Sequence, residues 1–167
     1  AHTAQPIIDA VGGRKVKGIL CSHAHNDHIT VAPELSEKLD APIFVHPGDQ
    51  MLWDETHPDV SHGELQDGQQ FEIAGTRVDV MNTPGHSPGS CVFHVPEAGV
   101  LFSGDTLFSG GPGATGRSYS DFPTIITSIR DRILTLPADT LVHTGHGDGT
   151  KVGDESPHLE EWIKRGS

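Results

Sequence analysis

Four times along this chain a short apolar run ends in a cluster of residues able to bind a metal ion or move a proton. Residues 18–22 (GILCS) lead into His23-Ala24-His25-Asn26-Asp27-His28, and residues 77–81 lead into TPGHSPGS with His86. Residues 100–102 lead into SGDT with Asp105, and residues 140–142 into HTGHG with His146. Apolar runs this short, bounded by Gly, Pro and polar residues, read as strands rather than helices. Each cluster therefore sits at the carboxyl end of a strand, and the fold has to be one in which strands deliver loops that carry the chemistry.

The rest of the chain fits that frame. A first helix is expected with Thr3 as its cap, Ile7, Ile8 and Val11 on one face, and Gly12-Gly13 ending it. A second runs from Pro33 to about Leu39, followed by a strand at residues 42–45. The polar stretch from His46 to Gly68 reads as loop with a short helix. Residues 71–73 and 77–81 flank Ala74-Gly75-Thr76 as a hairpin, and residues 91–95 and 100–102 form another strand pair. The clearest helix spans residues 121–136, with Asp121 as cap, Pro123 in the first turn, and Ile126, Ile129, Ile133 and Leu136 at helical spacing for the core. A terminal helix covers residues 156–165. With 20 Gly, 12 Pro and an apolar fraction of 34%, the composition suits short strands joined by turns better than a helical bundle. A length of 167 residues suits one domain, residues 1–167.

Charge narrows the function. The formal charge of −12, from 23 acidic and 11 basic residues, repels phosphate backbones and anionic membrane surfaces, which argues against nucleic acid or membrane as partner. Two bound divalent cations would reduce it to −12 + 4 = −8, so part of the acidic excess is accounted for if some carboxylates are metal ligands. Two cysteines, Cys21 and Cys91, make no disulfide framework, and the first residues lack the layout of a signal peptide. A cytoplasmic setting is the expectation.

Within His23–His28, alternate positions 23 and 25 can point to one side of an extended loop, leaving 27 and 28 for a neighbouring site. Imidazole mixed with carboxylate suits zinc, iron or manganese, whereas calcium and magnesium favour oxygen throughout. His46, His57, His62, His94, His143 and His158 lie outside the clusters and are assigned to structure or surface.

The four motifs HAHNDH, TPGHSPG, SGDT and TGHG, in this order, resemble the metallo-β-lactamase superfamily, in particular its single-domain glyoxalase II-like (hydroxyacylglutathione hydrolase-like) hydrolases, and the stretches GPGATGRSYSDFPT and TGHGDGTKVGDE resemble those of actinobacterial type. The resemblance implies an α+β fold, an αββα sandwich with metals at the edge where strands end. It implies that His23, His25 and His86 bind one divalent ion, Asp27, His28 and His146 a second, and that Asp105 bridges them. Zinc is the expected metal, with iron or manganese as alternatives. Asp27 and Asp105 would then take part in catalysis by orienting the water whose hydroxide attacks an acyl carbonyl. Family members usually carry several strands before the first helix. Their apparent absence here leads to the expectation of an N-terminally incomplete first sheet, or of an oligomer or partner chain that completes it. Ser22 stands where Thr commonly precedes the first metal histidine.

A thiolate leaves without a proton donor, and no general acid is evident outside the ligand set. That consideration and the resemblance both lean toward an acyl-thiol small molecule as substrate. Arg117 and Tyr119, in the Gly-rich loop after Asp105, are the candidate substrate-binding residues, Arg117 for a carboxylate and Tyr119 as a wall. The rival readings are a mononuclear-iron persulfide dioxygenase, a β-lactamase or other ester or lactone hydrolase, and a metal-binding module of an assembly.

Overall fold

The structure is a computed structural model in which residues 3–166 are described. Its elements in chain order are α1 (Gln5–Val11), β1 (Ile19–Leu20), α2 (Asn26–Ile29), α3 (Ala32–Leu39), β2 (Ile43–Val45), α4 (Gln50–Thr56), β3 (Gly63–Glu64), β4 (Gln70–Ile73), β5 (Thr76–Asn82) and β6 (Cys91–Val95). They continue with β7 (Val100–Gly104), β8 (Leu107–Phe108), β9 (Gly111–Pro112), α5 (Phe122–Ser128), β10 (Leu141–Thr144), β11 (Thr150–Lys151), α6 (Val152–Glu155) and α7 (Leu159–Arg165).

Strands β11-β10-β7-β6-β5-β4 form one sheet, in which β7 and β10 run parallel and the other neighbours antiparallel. A second sheet, β1-β2-β3, is wholly parallel. Alternation along the strands of the large sheet divides its side chains between two cores. Val92, Leu101 and Val142 pack against Ile125, Ile126, Ile129, Ile133 and Trp162 from the helices on one side. Val80, Cys91 and Phe93 face Leu65, Leu20 and Phe44 of the smaller sheet on the other. The far side of the smaller sheet is covered by Ile29, Ala32, Leu52 and Trp53 from α2, α3 and α4. The order of layers is thus helix, sheet, sheet, helix, the αββα sandwich expected from the motifs.

The hairpin between β4 and β5 shows how local sequence sets register. Ile73 pairs with Thr76, so the turn is Ala74-Gly75 alone, with φ of 53° and 81°. Both residues are left-handed, as the twist of a two-residue hairpin requires, and Gly75 takes that conformation without steric cost. The Asp121 cap also forms, its carboxylate accepting from Thr124 N–H at 2.9 Å.

Several expectations shift. Ala4, not Thr3, occupies the N-cap of α1, with no side-chain cap, and no residue of that helix is buried: Ile7 is 37% exposed. Ile7 and Val11 instead line an apolar groove of about 420 Å³ with Ile19, Leu35 and Leu39, beside β1, which among the described residues pairs only with β2. The helix from residue 122 passes into a π turn at Ile129–Ile133, closed by Leu134 N–H to Ile129 O, and stops before 136. The terminal segment divides into a 3₁₀ turn, Ser156–His158, and α7. Strand β3 lies in the stretch read as loop; two residues, one of them Gly, carry no alternation to detect. No helix among the described residues is long and apolar enough to cross a membrane.

Candidate metal centre

The seven candidate ligands come from five loops and turns that meet where the strands end. Extended backbone after β1 carries His23 and His25, and the chain then enters α2, whose first turn holds Asp27 and His28. This helical turn within the cluster was not anticipated, and it brings His28 against His23, their ring centroids 4.0 Å apart. His86 comes from the turn after β5, where Gly85, at φ 137°, lies so close to α5 that a Cβ would meet Ile125 N at 2.3 Å. Asp105 follows β7 and His146 follows β10. These parallel neighbours are tied at their ends by Gly145 N–H to Gly104 O at 2.8 Å, which sets the two ligands side by side.

Around the first centre the rings of His23, His25 and His86 lie 4.7–4.9 Å apart, pairwise nearly perpendicular, with His25 Nδ1 3.0 Å from His86 Nε2. Around the second, His146 Nε2 lies 3.0 Å from His28 Nε2 and 3.1 Å from Asp27 Oδ2. Asp105 stands between: Oδ1 faces His28 Nε2 at 3.3 Å, while Oδ2 faces His86 and His146 at 3.6 Å each. Ligand atoms about 2.0–2.1 Å from a tetrahedral ion sit roughly 3.3 Å from one another, so these spacings fit a divalent cation in each cluster.

Two buried atoms, His23 Nε2 and Asp105 Oδ1, have no hydrogen-bond partner among the described residues. Leaving such groups unsatisfied costs on the order of 1–3 kcal/mol each, a penalty that ligation removes. The outer nitrogen of His86 is used: Nδ1 bonds Ala114 O at 2.8 Å, which makes it the N–H and leaves the Nε2 lone pair facing the centre. Ser22 Oγ lies 3.2 Å from His23 Nδ1, so the hydroxyl at that position is engaged.

Burial, followed by the neighbouring histidines His28, His86, His25 and His146, drives the His23 pKa well below its ordinary value. His25 is lowered by burial first and then by His86. Both shifts favour the neutral imidazole, the form that offers a lone pair to a metal. Burial alone would raise Asp105, but contact with His28 and the fields of His28, His86 and His146 hold it below the usual carboxylate range. The first cluster is the drier one, with His23 and His86 buried, whereas the side chains of His146 and Asp27 in the second are 56% and 39% exposed.

The loop after Asp105 borders the centre, since Ala114 contacts His86. Arg117 is near enough to His25 to help depress its pKa, and no carboxylate among the described residues forms an ion pair with it. Tyr119, with φ 68°, is 55% exposed. Four histidines outside the clusters have other partners: His57 Nε2 bonds Ile29 O, His62 packs edge-on to Trp53, His143 stacks on Phe102, and His158 faces Glu161. Cys21 is buried and its thiol is pushed up to about 12, which leaves it inert.

The sequence reading missed the groups that support the ligands. Thr83 and Thr106 share a buried hydroxyl contact of 2.9 Å below Asp105, and Gly145 and Gly113 let backbone approach it closely. Asp49 is fully buried between two ligand loops. Spacing along the chain carries no signal for any of them.

The pattern of the Metallo-beta-lactamase superfamily matches residues 2–146. A probable metallo-hydrolase of Bacillus subtilis, YqgX, is 38% identical over 158 residues, 84% of this chain and 74% of that protein. The hydroxyacylglutathione hydrolase GloC of Haemophilus influenzae is 30% identical over 154 residues, covering 84% and 73%. Among solved structures, TTHA1623 in a di-iron-bound form superposes with a TM-score of 0.81 at 32% identity, covering 92% of this chain and 82% of that one. The match along most of the chain, the αββα layers and the His/Asp cluster at their edge agree: the chain belongs to the metallo-β-lactamase superfamily.

Proposed function

We propose that this protein is a dinuclear metal-dependent hydrolase acting on thioesters of small acyl-thiol molecules. The observation that carries the reading is the meeting of two candidate ligand triads at one carboxylate, with buried His23 Nε2 and Asp105 Oδ1 lacking a hydrogen-bond partner among the described residues. In this reading His23, His25 and His86 hold one ion, Asp27, His28 and His146 the other, and Asp105 bridges them, with zinc as the metal. Such ions would supply Lewis acidity to an acyl carbonyl and lower the pKa of bound water toward neutral.

The chain's own residues do the rest. Burial biases His23 and His25 toward the neutral imidazole, the form that can ligate a metal. Asp105, held in its ionised form, would be shared by the two centres, and Asp27, with its side chain 39% exposed, would orient an incoming water. Arg117, which has no ion pair with a carboxylate among the described residues and whose charge is felt at His25, would bind a substrate carboxylate, and exposed Tyr119 on the same loop would form a wall. A thiolate departs without a proton, which suits a site whose titratable groups are committed to metal. Similarity to a hydroxyacylglutathione hydrolase, whose named substrate is a thioester, supports the same substrate class.

The test is metal quantification beside a panel of acyl thioesters, with free thiol read colorimetrically. Two divalent ions per chain and thiol release are expected, and quantification distinguishes zinc from iron or manganese. A fully metallated protein that releases no thiol from any member of the panel would refute the assignment.

A further inference from the structure

The geometry points to Asp49 as a positioning residue for the metal centre: a buried carboxylate that binds two ligand loops to each other without itself being a ligand. Asp49 lies in the turn Pro47–Asp49 between β2 and α4 and is fully buried. Its Oδ2 accepts from Ala24 N–H at 2.9 Å and from Ser87 O–H at 2.7 Å, and its Oδ1 accepts from Gly89 N–H at 2.6 Å. Ala24 is the residue between His23 and His25, and Ser87 is the residue after His86. One anion therefore bridges the backbone of the two segments that supply all three imidazoles of the drier cluster.

The surroundings are built for this contact. Gly48 and Gly89 let the turns touch: a Cβ on Gly48 would lie 3.0 Å from Gly89 N, and one on Gly89 would lie 2.6 Å from Asp49 N. His46 Nδ1 accepts from Gly48 N–H at 3.1 Å and holds the turn from the other end. Ser87 Oγ lies 2.8 Å from Ser90 Oγ, which in turn accepts from Ser87 N–H at 3.1 Å, so the His86 turn is closed around the same carboxylate. Burying an anion away from water is costly unless its oxygens are satisfied. Three donors satisfy Asp49, and its field also favours positive charge at His25. The same field acts on a cation held there. Groups that orient metal ligands typically change metal affinity by about 10–100-fold when removed.

This inference rests on the metal-centre reading, and the experiment separates the two. Zinc affinity is measured by chelator competition, and the visible spectrum of the cobalt(II)-substituted protein is recorded, for wild type, Asp49→Asn and Ser87→Ala. Asparagine keeps the size but turns an N–H₂ toward a backbone N–H and removes the charge. Asp49→Asn is expected to weaken at least one zinc-binding step by about 10–100-fold and to alter the cobalt spectrum, while excess zinc restores occupancy. Ser87→Ala removes one donor and leaves the charge; it is expected to weaken zinc binding by a smaller factor, and it decides the matter if Asp49→Asn does not fold. A purely structural role would lower the melting temperature of the metal-free protein and leave zinc affinity and the cobalt spectrum at wild-type values, and that result overturns the assignment. Wild-type protein that takes up no zinc would overturn the metal reading itself.

Discussion

Replacing Gly145 by alanine tests whether one carboxylate serves both centres. A Cβ at this position would stand 2.1 Å from Asp105 Oδ1, 3.0 Å from His28 Cε1 and 3.1 Å from the Gly104 carbonyl carbon. The backbone of Gly145 is not in the left-handed region, so alanine costs little there by itself, and the penalty comes from the contact. The carboxylate must move by more than about 1 Å to reach ordinary van der Waals distance. For the fold this is a minor disturbance, since Asp105 Oδ1 is the end of a side chain: an off-rotamer Asp costs about 0.5–1.5 kcal/mol. At about 2–4 °C per kcal/mol for a chain of this size, the metal-free protein should melt only about 1–6 °C lower. Metal sites tolerate ligand displacements of only about 0.2 Å, so a bridging Asp105 displaced by 1 Å is lost to both ions at once. Both zinc-binding steps should then weaken by at least about tenfold, equivalent to ~1.4 kcal/mol each. Chelator competition reads the affinities and a thermal melt of metal-free protein reads the fold. A Gly145→Ala protein that binds two zinc ions with wild-type affinity would show that Asp105 does not sit where both ions need it.

Asp105→Ala should lower occupancy of both sites and abolish thioester hydrolysis, whereas His146→Ala should lose the ion of the more exposed cluster and keep the other; metal content after dialysis checks both. Arg117→Ala should raise KM by roughly 10–100-fold for thioesters carrying a carboxylate, the worth of a charge-assisted hydrogen bond, with little change in kcat. Equal effects on uncharged thioesters would refute the carboxylate role. Arg132 holds the Asp67 carboxyl below its usual range, aided by Asn82 N–H. The folded-state value is depressed, so this stabilisation is present above the unfolded pKa and is lost as pH falls through the folded one. Both groups are substantially exposed, so it is worth under about 1 kcal/mol. Arg132→Ala should shift the acid limb of a stability–pH curve by no more than that, and an unshifted limb would show that the pair contributes nothing.

The candidate ligands were legible because metal binding selects residue types, and short apolar runs mark the strand ends that carry them. HAHNDH, His86, Asp105 and His146 could be named before any contact was known. The αββα layering came from resemblance, since short runs show that strands exist and not which of them pair. Local signals acted where the energetics is local: the Asp121 cap and the Ala74-Gly75 turn depend on neighbours one to three residues away. They failed where packing decides. Thr3 is a good cap by type, but the chain places Ala4 at that position, and β3 exists only because β2 offers it an edge.

From sequence alone, a short-strand fold with a candidate centre of mixed imidazole and carboxylate could be read. Tertiary structure decided what the ligands amount to. It made one cluster dry and the other open, left His23 Nε2 and Asp105 Oδ1 buried without a hydrogen-bond partner among the described residues, and placed Asp49 against donors 25, 38 and 40 residues away along the chain. The physical reason is range. Residue type and local propensity act over a turn or a strand, whereas burial, electric field and close backbone approach depend on which distant segments the sandwich brings together.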